Sequence, residues 1–306
     1  MNRIIVVALY FCLALNSQAM QTFSYKTERG LVYADLGHRK LKMTMYLPED
    51  DGRSLRPGMV LIHGGAWMLG TRYQQAWYCR EFAKHGYVVM TIDYRLMPKC
   101  AFPDCLHDCK AAVRWLRLNA AKYRVDPDRI VTFGASAGGH LAALLATTTP
   151  EDKLEGDINP GASSEVKAAI SLYGAVDLAM YRDRPFVHKS LNGRTSNFFN
   201  DFTTRNMGEM NGVAMEAASP MHYASASSKP IFFAHGKSDR LVHFEQSEHL
   251  HRRLQENGVP TQLVALENRG HGFDYIFWGQ RREIFKQMLD FLKAQGCGPS
   301  EHNAIA

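Results

Sequence analysis

Gly134-Ala135-Ser136-Ala137-Gly138 sets a serine between two glycines, each two residues away. The short apolar run Ile130–Phe133 precedes it, and the small-residue stretch His140–Ala146 follows it. A G-x-S-x-G sequence between a strand and a helix forms a tight turn that lifts the serine hydroxyl above a sheet edge. The helix start behind it presents free N–H groups and the positive end of the helix dipole. Glycines at the flanks remove Cβ atoms where strand and helix pass closely. Serine alone is a weak nucleophile, so acyl-transfer chemistry at Ser136 needs a base and a group that orients the base.

His271 is the expected base. It sits in Glu267-Asn268-Arg269-Gly270-His271-Gly272, after the strand-like run Gln262–Leu266. Asp239 is the expected acid, in His235-Gly236-Lys237-Ser238-Asp239 after the apolar run Ile231–Ala234. Glu267 is an alternative acid, although it shares a loop with His271. His235 reads as a strand-end packing residue. His63-Gly64-Gly65-Ala66 follows the apolar run Met59–Ile62. The N–H groups of Gly64, Gly65 and Ala137 are therefore expected to form an oxyanion hole, with His63 bracing the loop. Trp67, just beyond, either lines the substrate pocket or packs.

These residues need a scaffold that brings several loops to one edge. Leu41–Leu47 alternates like a half-buried strand. Met59–Ile62, Tyr87–Tyr94, Ile130–Phe133, Val166–Tyr173, Ile231–Ala234 and Gln262–Leu266 read as further short strands. Helical spacing over Tyr73–His85, Cys105–Tyr123, Phe244–Glu256 and Gln280–Ala294 separates them. Asp126-Pro127-Asp128 reads as a turn. Such alternation predicts an α/β fold with a mostly parallel, doubly wound sheet, whose ligands bind at the carboxyl ends of the strands. Residues 178–215 break the pattern and read as a small insertion over the active site. Phe198, Phe199 and Phe202 within it are candidates to line an acyl pocket.

The chain has 306 residues, 46% of them hydrophobic, enough for a sizeable core. Its 36 basic and 30 acidic residues give a net charge of +6 without any basic run, so no nucleic-acid partner is expected. Met1-Asn2-Arg3, the apolar stretch Ile4–Leu15, and the small residues Ser17 and Ala19 form a signal-peptide pattern. Residues 1–19 are read as that signal, cleaved after Ala19, and 20–306 as one catalytic domain in a secreted or periplasmic protein with no later membrane span. Export permits disulfides. Cys79, Cys100, Cys105, Cys109 and Cys297 remain in the mature chain, and the odd number leaves at least one unpaired or joined to another chain. A local bridge among Cys100, Cys105 and Cys109 and simple thiols are both compatible with the sequence. Zinc is disfavoured by the spacing, and no metal or organic cofactor is expected. Oligomeric state is not encoded in any motif.

Taken together, His63-Gly64-Gly65-Ala66-Trp67, Asp93-Tyr94-Arg95-Leu96, Phe102-Pro103, Gly134-Ala135-Ser136-Ala137-Gly138-Gly139-His140, His235-Gly236-Lys237-Ser238-Asp239 and Gly270-His271-Gly272-Phe273 resemble the hormone-sensitive-lipase-like side of the α/β hydrolases. The resemblance runs from about Val32 to Leu292 and is greatest to bacterial carbohydrate esterases of the acetyl xylan and feruloyl type. It implies an α/β-hydrolase fold and a triad of Ser136, Asp239 and His271. It also implies structural roles for Asp93 and Asp108, and a small-molecule or polysaccharide ester as substrate. Met97-Pro98-Lys99-Cys100, Cys105 and Cys109 depart from the family pattern, away from the triad. A general carboxylesterase, an amide hydrolase of the peptidase or formamidase kind and a non-catalytic ligand-binding homologue are the competing readings. The last conflicts with the presence of all three triad residue types.

Overall fold

The structure, a computed structural model, describes residues 22–49, 52, 55–97, 99, 102–183, 188–189, 195–196 and 215–299. Residues 1–19, read above as a signal, Cys100 and the phenylalanines Phe198, Phe199 and Phe202 lie outside the described residues, as does most of the stretch 178–215 read as an insertion.

Eight strands form one sheet: β1 (Tyr25–Asp35), β2 (Lys40–Pro48), β3 (Arg56–Ile62), β4 (Val88–Ile92), β5 (Val125–Ala135), β6 (Ala168–Leu172), β7 (Ile231–Gly236) and β8 (Thr261–Leu266). Their spatial order is β1-β2-β4-β3-β5-β6-β7-β8. Only β2 runs against its neighbours, and every other pairing from β4 to β8 is parallel. The longer helices are α1 (Ala76–Lys84), α2 (Asp104–Leu118), α3 (Ala137–Thr147), α4 (Glu245–Glu256) and α5 (Trp278–Ala294).

A strand covered on both faces needs apolar residues without alternation, and β3, β4, β6 and β7 are buried along their whole length. The pleat then deals the side chains to two layers. Met59, Leu61, Val131 and Phe133 pack with α1 and α5, whereas Val60, Ile62 and Ile130 pack with α2, α3 and α4. Each fully withdrawn aliphatic or aromatic side chain of this kind contributes roughly 1.5–3 kcal/mol.

One expectation needs correction, and one element lies outside the strands read from the sequence. Asp126-Pro127-Asp128 lies inside β5 rather than in a free turn. The register jumps there, with Pro57 opposite Asp126 and Gly58 opposite Ile130, so the turn-like residues form a bulge. The edge strand β1 was also not anticipated. Its sequence mixes charged and apolar residues because much of it stays solvent-accessible.

Among the described residues, Cys79, Cys109 and Cys297 are buried free thiols, and no cluster of His, Cys, Asp or Glu could hold a metal ion. No described helix is long and apolar enough to cross a membrane.

Candidate active site

The parallel strands end together: Ile62 lies beside Gly134, Ala135 beside Leu172, and Gly236 beside Leu266. The loops that leave these ends carry His63–Gly65, Ser136, Asp239 and His271, so the register alone assembles them.

Ser136 joins β5 to α3 with φ 55° and ψ −123°. A non-glycine residue with positive φ is strained and persists only where its surroundings enforce it. Here the Ser136 amide donates to the Leu172 carbonyl at 2.8 Å, and the Ser136 carbonyl accepts from the His140 amide at 3.0 Å. The flanking glycines are sterically required. A Cβ on Gly134 would lie 2.1 Å from the Gly138 carbonyl oxygen, and one on Gly138 would lie 2.1 Å from that of Ile62.

The Ser136 hydroxyl donates to Nε2 of His271 at 2.9 Å, and Nδ1–H of His271 donates to Oδ2 of Asp239 at 2.7 Å. The acid and base loops are clamped together, since the Ser238 amide donates to the Arg269 carbonyl at 2.9 Å. Gly236 makes that approach possible, because a Cβ there would stand 2.2 Å from the Arg269 carbonyl oxygen. His271 keeps 20% side-chain exposure while the Asp239 side chain has none. The Leu241 and Val242 amides donate to Oδ1 of Asp239 at 2.8 and 2.9 Å. Burial pushes the Asp239 carboxyl up, but hydrogen bonds from His235 and His271 outweigh it and hold it well below the usual carboxylate range.

Gly64 lies directly against this turn. A methyl group there would stand 2.8 Å from the Ala135 carbonyl oxygen and 3.3 Å from Cβ of Ser136. Gly65 has φ 115°, a conformation that favours glycine. Ala137 occupies the first position of α3, where an N–H has no intrahelical acceptor. His63 donates from Nδ1 to the Gly64 carbonyl at 2.7 Å and stacks on Tyr94 with centroids 4.3 Å apart. Burial pushes the His63 imidazole down, so the ring stays neutral.

Trp67 is only 1% exposed, and its indole N–H donates to Nδ1 of His140 at 3.1 Å. Of the two roles open to it, the packing role is the one the structure contains. Glu267 pairs with Lys237 and is not joined to His271 by any described bond. Asp93 accepts from the Arg72 amide at 2.8 Å, and Asp108 accepts from the Arg95 amide at 2.7 Å; both carboxylates also pair with the same arginine's guanidinium.

Two further residues touch the Asp239–His271 pair. His235 is hydrogen-bonded to Asp239 rather than merely packed at the strand end. Tyr173 packs edge-on against His271 with centroids 4.7 Å apart, and its hydroxyl donates to Oδ1 of Asp274 at 2.6 Å. The His235–Asp239 spacing of four residues across a strand end was the available signal for the first. Asp274 lies three residues beyond His271, and nothing in the sequence links it to Tyr173.

A BD-FAE family model matches residues 43–254. Esterase LipQ of Mycobacterium tuberculosis is 32% identical over 241 residues, covering 77% of this chain and 55% of LipQ. The chain spans about half the length of the curated relatives it matches. Among solved structures, the butyrate-bound form of the esterase Est2 from Thermogutta terrifontis is 27% identical with a TM-score of 0.72, covering 93% of this chain and 98% of that one. A truncated carbohydrate esterase from gut microbiota shares the fold at 24% identity and a TM-score of 0.72, covering 90% of this chain and 98% of that one. With the strand order, the strained Ser136 turn and a family match over most of the chain, this protein belongs to the BD-FAE family, on the hormone-sensitive-lipase-like side of the α/β hydrolases.

Proposed function

We propose that this protein is a serine carboxylic ester hydrolase that acts through an acyl-enzyme on Ser136. The observation that carries this reading is the unbroken hydrogen-bond chain from Ser136 through His271 to Asp239, at 2.9 and 2.7 Å. Nε2 of His271 takes the Ser136 proton as Oγ attacks the ester carbonyl carbon. The amides of Gly64, Gly65 and Ala137 receive the negative charge that develops on the carbonyl oxygen. His271 then returns its proton to the departing alcohol. It next deprotonates a water that attacks the acyl-enzyme, releasing the carboxylic acid and restoring Ser136. Asp239 stays ionised throughout and stabilises the imidazolium.

The proposed substrate is a short acyl ester on a carbohydrate outside the cytoplasm. Support comes from the signal-like residues 1–19, from the sequence resemblance to exported carbohydrate esterases, and from the Est2 esterase, solved with butyrate bound. The test uses p-nitrophenyl acetate with the wild type and Ser136→Ala, followed by acetate release from acetylated xylan beside tributyrin hydrolysis. Ser136→Ala is expected to lose about 10⁴-fold or more in kcat. Equal rates would remove Ser136 as nucleophile, and a clear preference for tributyrin would overturn the carbohydrate assignment.

A further inference from the structure

We propose that His235 is a positioning residue for the triad: a second, buried imidazole that holds the Asp239 carboxylate in register for His271. The inference rests on the reading of Asp239 as the partner of His271. His235 lies near the end of β7 and is fully buried. Its Nε2 stands 3.2 Å from Oδ2 of Asp239 and 2.9 Å from the Val242 carbonyl oxygen. Both neighbours can only accept, so Nε2 carries the hydrogen. Nδ1 lies 2.8 Å from Oγ of Ser247, on α4. A neutral ring accepts the Ser247 hydroxyl there. Tyr173 and Phe244 meet the ring edge-on at 6.5 and 5.8 Å, which fixes its plane.

The result is a line of five side chains, Ser136–His271–Asp239–His235–Ser247, that couples three loops to α4. Oδ1 of Asp239 is filled by two backbone amides and Oδ2 by two imidazoles. The carboxylate therefore cannot rotate without breaking several bonds. The two imidazole bonds are unequal, 2.7 Å to His271 against 3.2 Å to His235. Sharing of the His235 hydrogen with the Val242 carbonyl accounts for the longer one, and it leaves the stronger interaction to His271. Asp239 faces both imidazoles, and the Tyr173 ring, bonded to Asp274, lies against them. Tyr181 senses the Asp239 charge together with Glu245 and Asp177.

Without the His235 N–H, more of the Asp239 charge is left to stabilise protonated His271. The acid limb of the kcat/KM profile should then move to higher pH, and a looser carboxylate should lower kcat. For His235→Leu we expect a fall in kcat of roughly 10–100-fold, the range for losing a hydrogen bond to a charged group, with little change in KM. His235→Gln should recover most of the rate, because its amide nitrogen has two hydrogens for the two acceptors. Ser247→Ala should move the limb the same way by less. The His271 Nδ1–H resonance, read by NMR in the Ser136→Ala background, should shift when His235 is replaced. A folded His235→Leu protein with wild-type kcat, acid limb and resonance overturns the proposal. If that variant does not fold, an unchanged limb and resonance in Ser247→Ala overturns it. Failure of the esterase reading itself is distinct: activity would survive Ser136→Ala while the resonance still responded to His235.

Discussion

Trp67 donates its indole N–H to Nδ1 of His140 at 3.1 Å, tying the loop after β3 to the helix that follows Ser136. Nε2–H of the same imidazole donates to the Ala218 carbonyl at 2.6 Å. Both bonds together require a neutral ring with hydrogen on Nε2. Burial pushes the imidazole down to about 4. An unfolded histidine titrates near ~6.5. Between those values the unfolded chain binds a proton that the folded one refuses, so stability declines as pH falls through that window. The loss from this one group is at most about 3 kcal/mol. His140→Gln can keep both bonds without titrating. Urea unfolding at pH 7 and pH 4.5 should show a steeper loss for the wild type than for this variant; parallel losses would argue against a neutral His140.

Gly64 touches the Ser136 turn so closely that a methyl group would meet the Ala135 carbonyl oxygen at 2.8 Å. Backbone cannot yield as a flexible side chain can, so Gly64→Ala must move the loop that carries the proposed oxyanion donors. Loss of one such donor typically costs about 10²–10³ in kcat. We expect a fall of that size on p-nitrophenyl acetate with a wild-type circular dichroism spectrum. Activity within threefold of wild type would remove this loop from the oxyanion site.

Four donors converge on the Asp239 carboxylate: the Leu241 and Val242 amides, His235 and His271. Asparagine would turn an N–H₂ group toward one pair of them and favour the wrong tautomer of His271. Asp239→Asn is expected to lower kcat about 10⁴-fold, and a loss under tenfold would exclude Asp239 as the orienting acid. The substitution should also change stability. A carboxyl held low in the folded state adds stability that is present above the ordinary carboxylate range and is lost as pH falls toward its depressed value. Acid unfolding of the variant should therefore begin from a lower plateau and fall less steeply.

The readable parts of this protein are those governed by local rules. Buried parallel strands such as Met59–Ile62 and Ile231–Ala234 announce themselves as short apolar runs, and the close strand–helix contact at Ser136 demands glycines that appear in the sequence. The unreadable parts depend on partners distant in the chain. Trp67 could not be assigned because its partner His140 lies 73 residues away. Tyr173 and Asp274 are 101 residues apart, and neither predicts the other. The bulge in β5 was hidden because Asp126-Pro127-Asp128 has the composition of a turn whether or not strands flank it. His235 is legible only in part, for a different reason. At the end of an apolar run it looks like packing, and only the bend that returns Asp239 to it shows a bonded pair.

The same substitution should have opposite effects at two glycines. Gly138 sits in the first turn of α3, where an added Cβ would stand 2.1 Å from the Ile62 carbonyl oxygen and 2.7 Å from that of His63. Both obstacles are backbone at the strand end that feeds the Gly64 loop. Gly138→Ala must therefore push α3 off the sheet or distort Ser136, and we expect a loss of about 3 kcal/mol or more, in the range of severe backbone and packing defects. Gly279, near the start of α5, has nothing within 4 Å of its ideal Cβ. Alanine there restricts the unfolded chain and favours the helix, so a gain of about 0.5–1 kcal/mol is expected. Thermal unfolding of the two variants beside the wild type checks both signs. A tolerated Gly138→Ala would mean that α3 can rise from the sheet at little cost, and the strained turn at Ser136 would then need another cause.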